Sequence, residues 1–472
     1  MKHLSNINEL KGKRCDVLGV GISNIPLIDM LTSAGAVVTA RDKKDRAKLG
    51  DICDTLEKTG VKLILGENYL DDIDGEIIFR SPGIRPDIPS ISSAIKNGAL
   101  LSSEMELFLE LTKANVIAIT GSDGKTTTTT LTHLFLKTQL ERSIIGKAFV
   151  GGNIGTPLLP KYKEMSKSDY AVLELSSFQL MTINMSPLRA AITNITPNHL
   201  NWHTDMDEYI SAKSNVFGEN TLLVLNAENP TTLDIAKARG RDIVLFSSKK
   251  DSYSSIVDSD MKNTSAIFLK GKNIVFSDGV YEDILLNVND IKLPGWHNIE
   301  NYMTAIALTY GIVDKEIYTE IAKSFGGVEH RLEFIREFNG VKYYNSSIDS
   351  SPTRTAAALS ALKESKVVIC GGYDKNIPFA PLADALCETT RCVVLTGATA
   401  SKIKEAILTC PKYSSQRLSI IEIEDFDDAI RTARDVAHAG ECVLLSPACA
   451  SFDKFSNFEE RGTRFKSIVN SF

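Results

Sequence analysis

Short apolar runs rich in β-branched residues recur along the chain, and most lead into a turn of Gly, Ser, Thr, Asn or Asp. They are "CDVLGVG" from Cys15, "VVTARD" from Val37, "IIFRSPG" from Ile77, "VIAITGS" from Val116, "YAVLELS" from Tyr170, "AAITNIT" from Ala190, "TLLVLN" from Thr221, "DIVLFS" from Asp242, "KVVICGG" from Lys366, "RCVVLTG" from Arg391 and "CVLLSPA" from Cys442. Helix-length segments separate them, which predicts α/β architecture with parallel sheets and crossover helices. Three blocks are expected, 1–104, 105–327 and 328–472, the last opening on a hairpin signalled by Asn339-Gly340 between apolar runs. The polar stretch from Lys249 to Asp290, with a second hairpin at "AIFLKGKNIVF", reads as a surface insertion.

Composition narrows the partners. A formal net charge of -6 offers no global attraction to nucleic acid or to anionic lipid, so any bound phosphate must be held locally. No run of about 18 apolar residues occurs and no leader pattern opens the chain, so a cytoplasmic protein without a membrane partner is expected. The 8 cysteines are scattered without a C-x-x-C pair and read as reduced thiols in or near cores.

The densest chemistry follows the run at Val116. In "TGSDGKTT", Gly121, Ser122, Asp123, Gly124, Lys125, Thr126 and Thr127 form a phosphate loop at the start of a helix, shorter than the usual G-x-x-x-x-G-K-[ST]. Lys125 can neutralise phosphate and Thr126 can ligand Mg2+, while threonines 126 to 130 suit polar work better than helix making. Glu174, in an otherwise apolar strand, is either a magnesium ligand or an ion-paired structural acid. His199 lies in a strand-end loop as a ligand or a structural histidine, and His203 lacks the third partner zinc would need. Lys213 shares a helix face with Tyr209, Ile210, Val216 and Phe217, so it either snorkels or is a desolvated amine with a lowered pKa. Asn298 and Asn301 stand one helical turn apart, and Arg331 in "EHRLE", near the start of the third block, is either a surface salt-bridge residue or an arginine that clamps phosphate when the domains close. Near the start, Gly19 and Gly21 suit a phosphate-facing turn, but Asn24 replaces the third glycine of G-x-G-x-x-G; with Asp42 closing the next strand where a ribose-binding acid would sit, the segment reads as either a nucleotide site or a plain strand-to-helix turn.

In chain order, "TGSDGKTT", "GGNIGTP", "LELSSFQL", "NITPNHLNWH", "AKSNVF", "PGWHN", "EHRLE", "GGYDKN" and "SPACASFDKFSNFEERG" resemble the Mur ligase family. The resemblance implies a Rossmann-like N-terminal domain that holds a UDP-linked substrate, a central P-loop-type ATPase domain with a parallel sheet, and a Rossmann-like C-terminal domain. It implies a monomer that uses ATP and Mg2+ to add D-glutamate to UDP-N-acetylmuramoyl-L-alanine through an acyl phosphate, in peptidoglycan precursor synthesis. The alternatives are a sister ligase with another amino acid, a folylpolyglutamate synthase-like enzyme, or an inactive nucleotide-binding regulator.

By motif, Lys125, Glu174, His199 and Lys213 are the implied catalytic residues. Thr126, Glu174, His199 and Lys213, the last as a carbamate, are the implied metal ligands. Asn298, Asn301 and Arg331 match ATP contacts; Asn153 and His199 match substrate contacts near the reacting end. Ile22, Ser23, Asp42, Ser81 and Gly83 fall in the loops for UDP, Lys375, Ser451 and Phe458 fall where D-glutamate would bind, and Ser350 and Phe452 count among the substrate-binding residues. Two departures stand out: Asp123 in place of an Asn, and Ser346 in place of an Asp that contacts the nucleotide, for which Asp349 or Ser350 is the expected substitute.

Overall fold

A computed structural model describes residues 6–200, 202–293, 295–374 and 377–472. The alternation of strands and helices resolves into three sheets. The first two belong to one compact unit, Met1–Val288 with Ile299–Ile321, and the third to another, Asn289–Asn298 with Ala322–Phe472.

The first sheet is all parallel, ordered Lys62–Leu65, Val37–Asp42, Arg14–Leu18, Ile77–Arg80, Leu100–Ser102. The chain order therefore reverses at Arg14–Leu18, and the loops after Leu18 and Arg80 flank the crevice where such sheets take ligands. Asn24, in the third-glycine position, braces this turn: its Nδ2 donates to the carbonyl of Gly19 at 2.8 Å and to Ser81 Oγ at 3.0 Å.

The second sheet has nine strands, and within it Asn115–Thr120 pairs in parallel with Tyr170–Glu174 on one side and Arg189–Ile192 on the other. Their carboxyl ends form one edge, from which the loops at Gly121, Leu175 and Thr193 emerge. The stretch from Lys249 to Asp290 is not a surface insertion. It supplies strands Lys262–Lys270, Asn273–Ser277 and Glu282–Asn287, and Ile267, Phe268, Ile274 and Val275 are buried. The expected hairpin is present within it, but its apolar residues complete the sheet rather than decorate it.

The third sheet is parallel apart from its first pair, Glu333–Phe338 with Val341–Asn345. Their turn is the hairpin predicted from Asn339-Gly340, both at positive φ (51° and 73°), the conformation those residues tolerate best. All eight cysteines are free thiols, and only Cys410 is less than fully buried.

Candidate active site

The phosphate loop is built by two glycines. Gly121, at φ 146°, ends the strand, and Gly124, at φ 79°, is the N-cap of the helix Lys125–Ser143. A Cβ on the first would collide with Thr193, and one on the second with Asn301, so both positions exclude larger residues. No side chain caps the helix, which leaves first-turn N–H groups and the positive end of the helix for an anion.

Neighbouring residues hold the loop from outside. The Asp123 N–H donates to Asn194 Oδ1 at 2.9 Å, and Thr193 Oγ1 donates to the Asp123 carbonyl at 2.5 Å. Ser122 Oγ exchanges hydrogen bonds with the backbone of Thr196 and lies 2.9 Å from the Tyr209 hydroxyl. Lys125 folds back, donating to the carbonyls of Gly121 at 3.0 Å and Ser122 at 2.9 Å. The Asp123 side chain is exposed and does not cap the helix. Within the threonine run, Thr130 bonds back to the Thr126 carbonyl, while Thr128 donates to Asn301 Oδ1 at 3.3 Å.

Lys213 does not snorkel. Its helix, Met206–Ser214, ends before Val216 and Phe217, and the lysine is 2% exposed. Nζ donates to the Gly121 carbonyl at 2.7 Å and lies 4.6 Å from the centre of the Tyr209 ring. Burial, and then the charge of Lys125, brings its pKa down to about 6 against a smaller upward pull from Asp123. Near neutral pH such a group is largely an uncharged amine.

Glu174 is 1% exposed at the end of its strand. Oε1 accepts from Asn153 Nδ2 at 2.9 Å, and the Asn153 N–H donates to the Glu174 carbonyl at 2.8 Å. Among the described residues Oε2 is buried with no hydrogen-bond partner and no cation pairs with the carboxylate, so there the ion-paired reading finds no support and a carboxylate oxygen stands ready for a cation. A hard-oxygen donor of this kind fits Mg2+. His199 is exposed at φ 57°, with its ring edge-on to Phe178, 4.9 Å between centroids. Phe178 lies in the short helix Ser177–Leu180 just after Glu174, so His199 comes to the same edge. His203 is structural: Nδ1 is 3.0 Å from Glu208 Oε2 and Nε2 is 2.9 Å from Ser177 Oγ. Asn301 joins this group through Thr128, and Asn298 is buried one turn earlier in the helix Trp296–Thr309.

A second group lies on the first sheet. Ile22 is 81% exposed, Ser23 is the N-cap of helix Asn24–Ser33, and Ser81 accepts from Asn24. Asp42 accepts from the N–H groups of Val20 and Lys44, each at 2.7 Å. Its carboxylate therefore shapes the loop that carries Ile22 and Ser23. Gly83 accepts from Trp202 Nε1 at 3.2 Å.

In the other unit, Ser346 accepts from the Leu332 N–H at 3.1 Å, next to Arg331. Asp349 is buried, accepts from Ser446 Oγ at 2.8 Å, and has a pKa raised by burial against the pull of Ser346, Ser446 and Arg331. Ser346 and Asp349 thus form one cluster, with the half-buried Ser350 following. Ser451 is buried, Phe452 is exposed against Tyr373, and Phe458 opens the last helix beside His330. Lys375 lies outside the described residues.

Residues 119–309 match the Mur ligase middle domain and 330–449 the Mur ligase glutamate ligase domain. The UDP-N-acetylmuramoylalanine–D-glutamate ligase of Ruminiclostridium cellulolyticum is 47% identical, covering 98% of this chain and 97% of its own. The chain belongs to the Mur ligase family. The enzyme of the same name from Acetivibrio thermocellus is 45% identical over the same shares. Among solved Mur ligases, UDP-N-acetylmuramate-alanine ligase MurC of Thermotoga maritima shares the fold with a TM-score of 0.54 at 20% identity, covering 97% of this chain and 99% of that one. A UDP-N-acetylmuramoyl-L-alanyl-D-glutamate–2,6-diaminopimelate ligase aligns with a TM-score of 0.53 at 17% identity, covering 98% and 92%.

Several residues of this Mur ligase site had no distinct signal in the sequence. Asn194 and Thr193 brace the phosphate loop by contacts across more than a strand, and Tyr209 was visible only as an apolar neighbour of Lys213. In the C-terminal unit the buried Arg461 donates to the carbonyls of Ser347, Cys449 and Ala450, binding the "SPACAS" turn to the Ser346 loop. An arginine in a surface-like "FEERG" helix start gives no hint of that.

Proposed function

We propose that this chain is the ATP-dependent ligase that joins D-glutamate to UDP-N-acetylmuramoyl-L-alanine, a step of peptidoglycan precursor synthesis carried out in the cytoplasm by a monomer. The observation that carries the reading is the convergence, at one sheet edge, of the Lys125 loop, the unpartnered Glu174 oxygen and the buried Lys213. The two relatives above supply the substrate names. In this reading 1–104 holds the UDP moiety, 105–327 the ATP, and 328–472 the amino acid and part of the nucleotide.

The chemistry follows from the poor electrophilicity of a carboxylate. The L-alanyl carboxylate oxygen attacks the γ-phosphorus of ATP, the bond to ADP breaks, and an acyl phosphate results. The free amine of D-glutamate then attacks the acyl carbon; phosphate leaves, the amide forms and the nitrogen gives up a proton. Gly121 to Thr127 cradle the triphosphate, and Lys125 offsets its charge when it turns from the loop carbonyls to the ligand. Asn153 is fixed by Glu174 to meet the substrate near its reacting end. Asn298, Asn301 and Arg331 would contact ATP, and Ser346 with Asp349 or Ser350 would complete its site. Ile22, Ser23, Asp42, Ser81 and Gly83 would form the UDP site, and Lys375, Ser451, Phe452 and Phe458 the D-glutamate site.

Thr126, Glu174, His199 and Lys213 would hold Mg2+, which when bound neutralises phosphate charge and orients the transferred group. Lys213 would do so as a carbamate: its neutral amine attacks CO2, an N–C bond forms as one C=O π bond opens, one proton leaves the nitrogen, and the amine becomes an anionic oxygen ligand. The test is Lys125→Ala. Turnover should disappear while calorimetric binding of UDP-N-acetylmuramoyl-L-alanine stays unchanged; an equal loss of that binding would make the lysine a structural residue and remove the reading's main support.

A further inference from the structure

The loop that follows strand Ile77–Arg80 has an arginine at each end, and each one reaches a different arm of the ATP-binding edge. Arg80 is 1% exposed. Its Nη1 closes its own loop by donating to the carbonyls of Pro82 at 3.0 Å and Ile84 at 2.6 Å; its Nη2 donates to the Phe178 carbonyl at 2.9 Å and Thr182 Oγ1 at 3.4 Å. Thr182 in turn reaches Glu106 Oε2 at 3.4 Å, behind the arginine. Phe178 is the ring on which His199 stands.

Arg85 meets the other arm. Its Nη1 donates to the Trp202 carbonyl at 2.5 Å and Glu208 Oε2 at 3.1 Å, and its Nη2 to Glu208 Oε1 at 2.8 Å, a two-pronged contact. The guanidinium also lies 5.0 Å from the centre of the Trp202 ring, and it pairs with Asp87 in its own loop. Glu208 belongs to the helix of Lys213, accepts from the Thr204 N–H at 2.9 Å, and is joined through His203 to Ser177. The contacts of one loop therefore extend to the segment after Glu174, to the turn of His199 and to the helix of Lys213.

We propose that the Arg85–Glu208 pair, seconded by Arg80, is a positioning device that aligns the His199 turn and the Lys213 helix with the loop of Ser81 and Gly83. The inference rests on the reading of that loop as part of the UDP site. Forked, charge-assisted contacts set orientation as well as attraction, which a lysine at Arg85 could not reproduce. Alignment matters because a misplacement of about 1 Å at a reacting centre can cost on the order of a hundredfold in rate. Both arginines act through other residues, so they position the chemistry and do not take part in it.

The experiment is a double-mutant cycle in the full chain, R85M, E208Q and the pair together, with D-glutamate, ATP, Mg2+ and UDP-N-acetylmuramoyl-L-alanine all saturating. In each single variant kcat should fall roughly tenfold to a hundredfold, while the Kd for the UDP substrate, from calorimetry, stays within about threefold. The double variant should be slowed by clearly less than the product of the two single losses, because both changes break the shared Arg85–Glu208 contact. A kcat within about twofold of the wild type in either single, losses that multiply in the double, or a defect confined to the UDP-substrate Kd would each overturn the proposal. Should R85M fail to fold by its thermal melt, R85K decides: several-fold slower turnover at unchanged Kd supports positioning, and wild-type turnover refutes it. A wild type without D-glutamate turnover would refute the functional reading and this inference with it. A competent wild type with unaffected variants refutes this inference alone.

Discussion

Lys213 Nζ lies 2.7 Å from the Gly121 carbonyl oxygen, so a buried amine sits directly against the first residue of the phosphate loop. With a pKa brought down to about 6, it is mostly neutral above neutral pH and open to CO2. A 13C-bicarbonate-treated sample should show a carbamate carbonyl resonance that is absent from Lys213→Arg, and that variant should lose turnover. A wild-type spectrum without the resonance, under conditions of full activity, would remove the carbamate from the account.

Glu174 keeps one buried carboxylate oxygen without a partner, an arrangement that is costly unless a cation uses it. Glu174→Gln preserves shape and the Asn153 contact. We expect a folded protein, with a thermal midpoint at or above that of the wild type, whose ADP release falls by on the order of a hundredfold or more. A near-normal rate would show that this oxygen has no part in catalysis.

Two buried acids in the first turn of the helix Glu104–Leu111 predict a pH dependence of stability. Burial raises the pKa of both Glu104 and Glu106 to about 7, each with an unpartnered Oε1. Because the folded pKa is above the unfolded value of 4.5, the folded state binds more protons in between; the relative stability is full below pH 4.5 and is lost as pH rises through about 7. Denaturant melts should show this decline, and Glu106→Gln should recover on the order of 2 kcal/mol at pH 8 relative to pH 5. A Glu106→Gln profile parallel to that of the wild type would contradict it.

Asn24 takes over the bracing that a third glycine would leave to backbone packing, through bonds to Gly19 and Ser81. Asn24→Ala should cost about 1–3 kcal/mol, since buried acceptors lose their donor, and should weaken UDP-substrate binding more than ATP binding. Equal effects on the two ligands would mean that the turn serves stability only.

The strand-end motifs were legible because parallel strands buried on both faces must be apolar, so any polar residue at their ends stands out. Glu174 and the phosphate loop were found that way, and so was the hairpin at Asn339-Gly340, whose residue types leave few other conformations. Lys213 was visible as an anomaly but not as a neighbour of Gly121, because that contact joins segments distant in the chain. The stretch from Lys249 to Asp290 was misread for a related reason: its strands complete a sheet whose other members come earlier, and polar flanks masked the buried Ile267 and Phe268. Arg80 and Arg85 gave no signal, since an arginine's default is the surface and only their partners' positions show otherwise.

The assignment stands or falls on ADP release from ATP and Mg2+ in the presence of UDP-N-acetylmuramoyl-L-alanine, comparing D-glutamate with L-glutamate, L-lysine and diaminopimelate. Turnover is expected with D-glutamate alone, with Asp123 and Ser346 compatible with full activity. Turnover with a different amino acid would contradict the assigned specificity, and no turnover from a folded protein that binds ATP would contradict the assignment as a ligase.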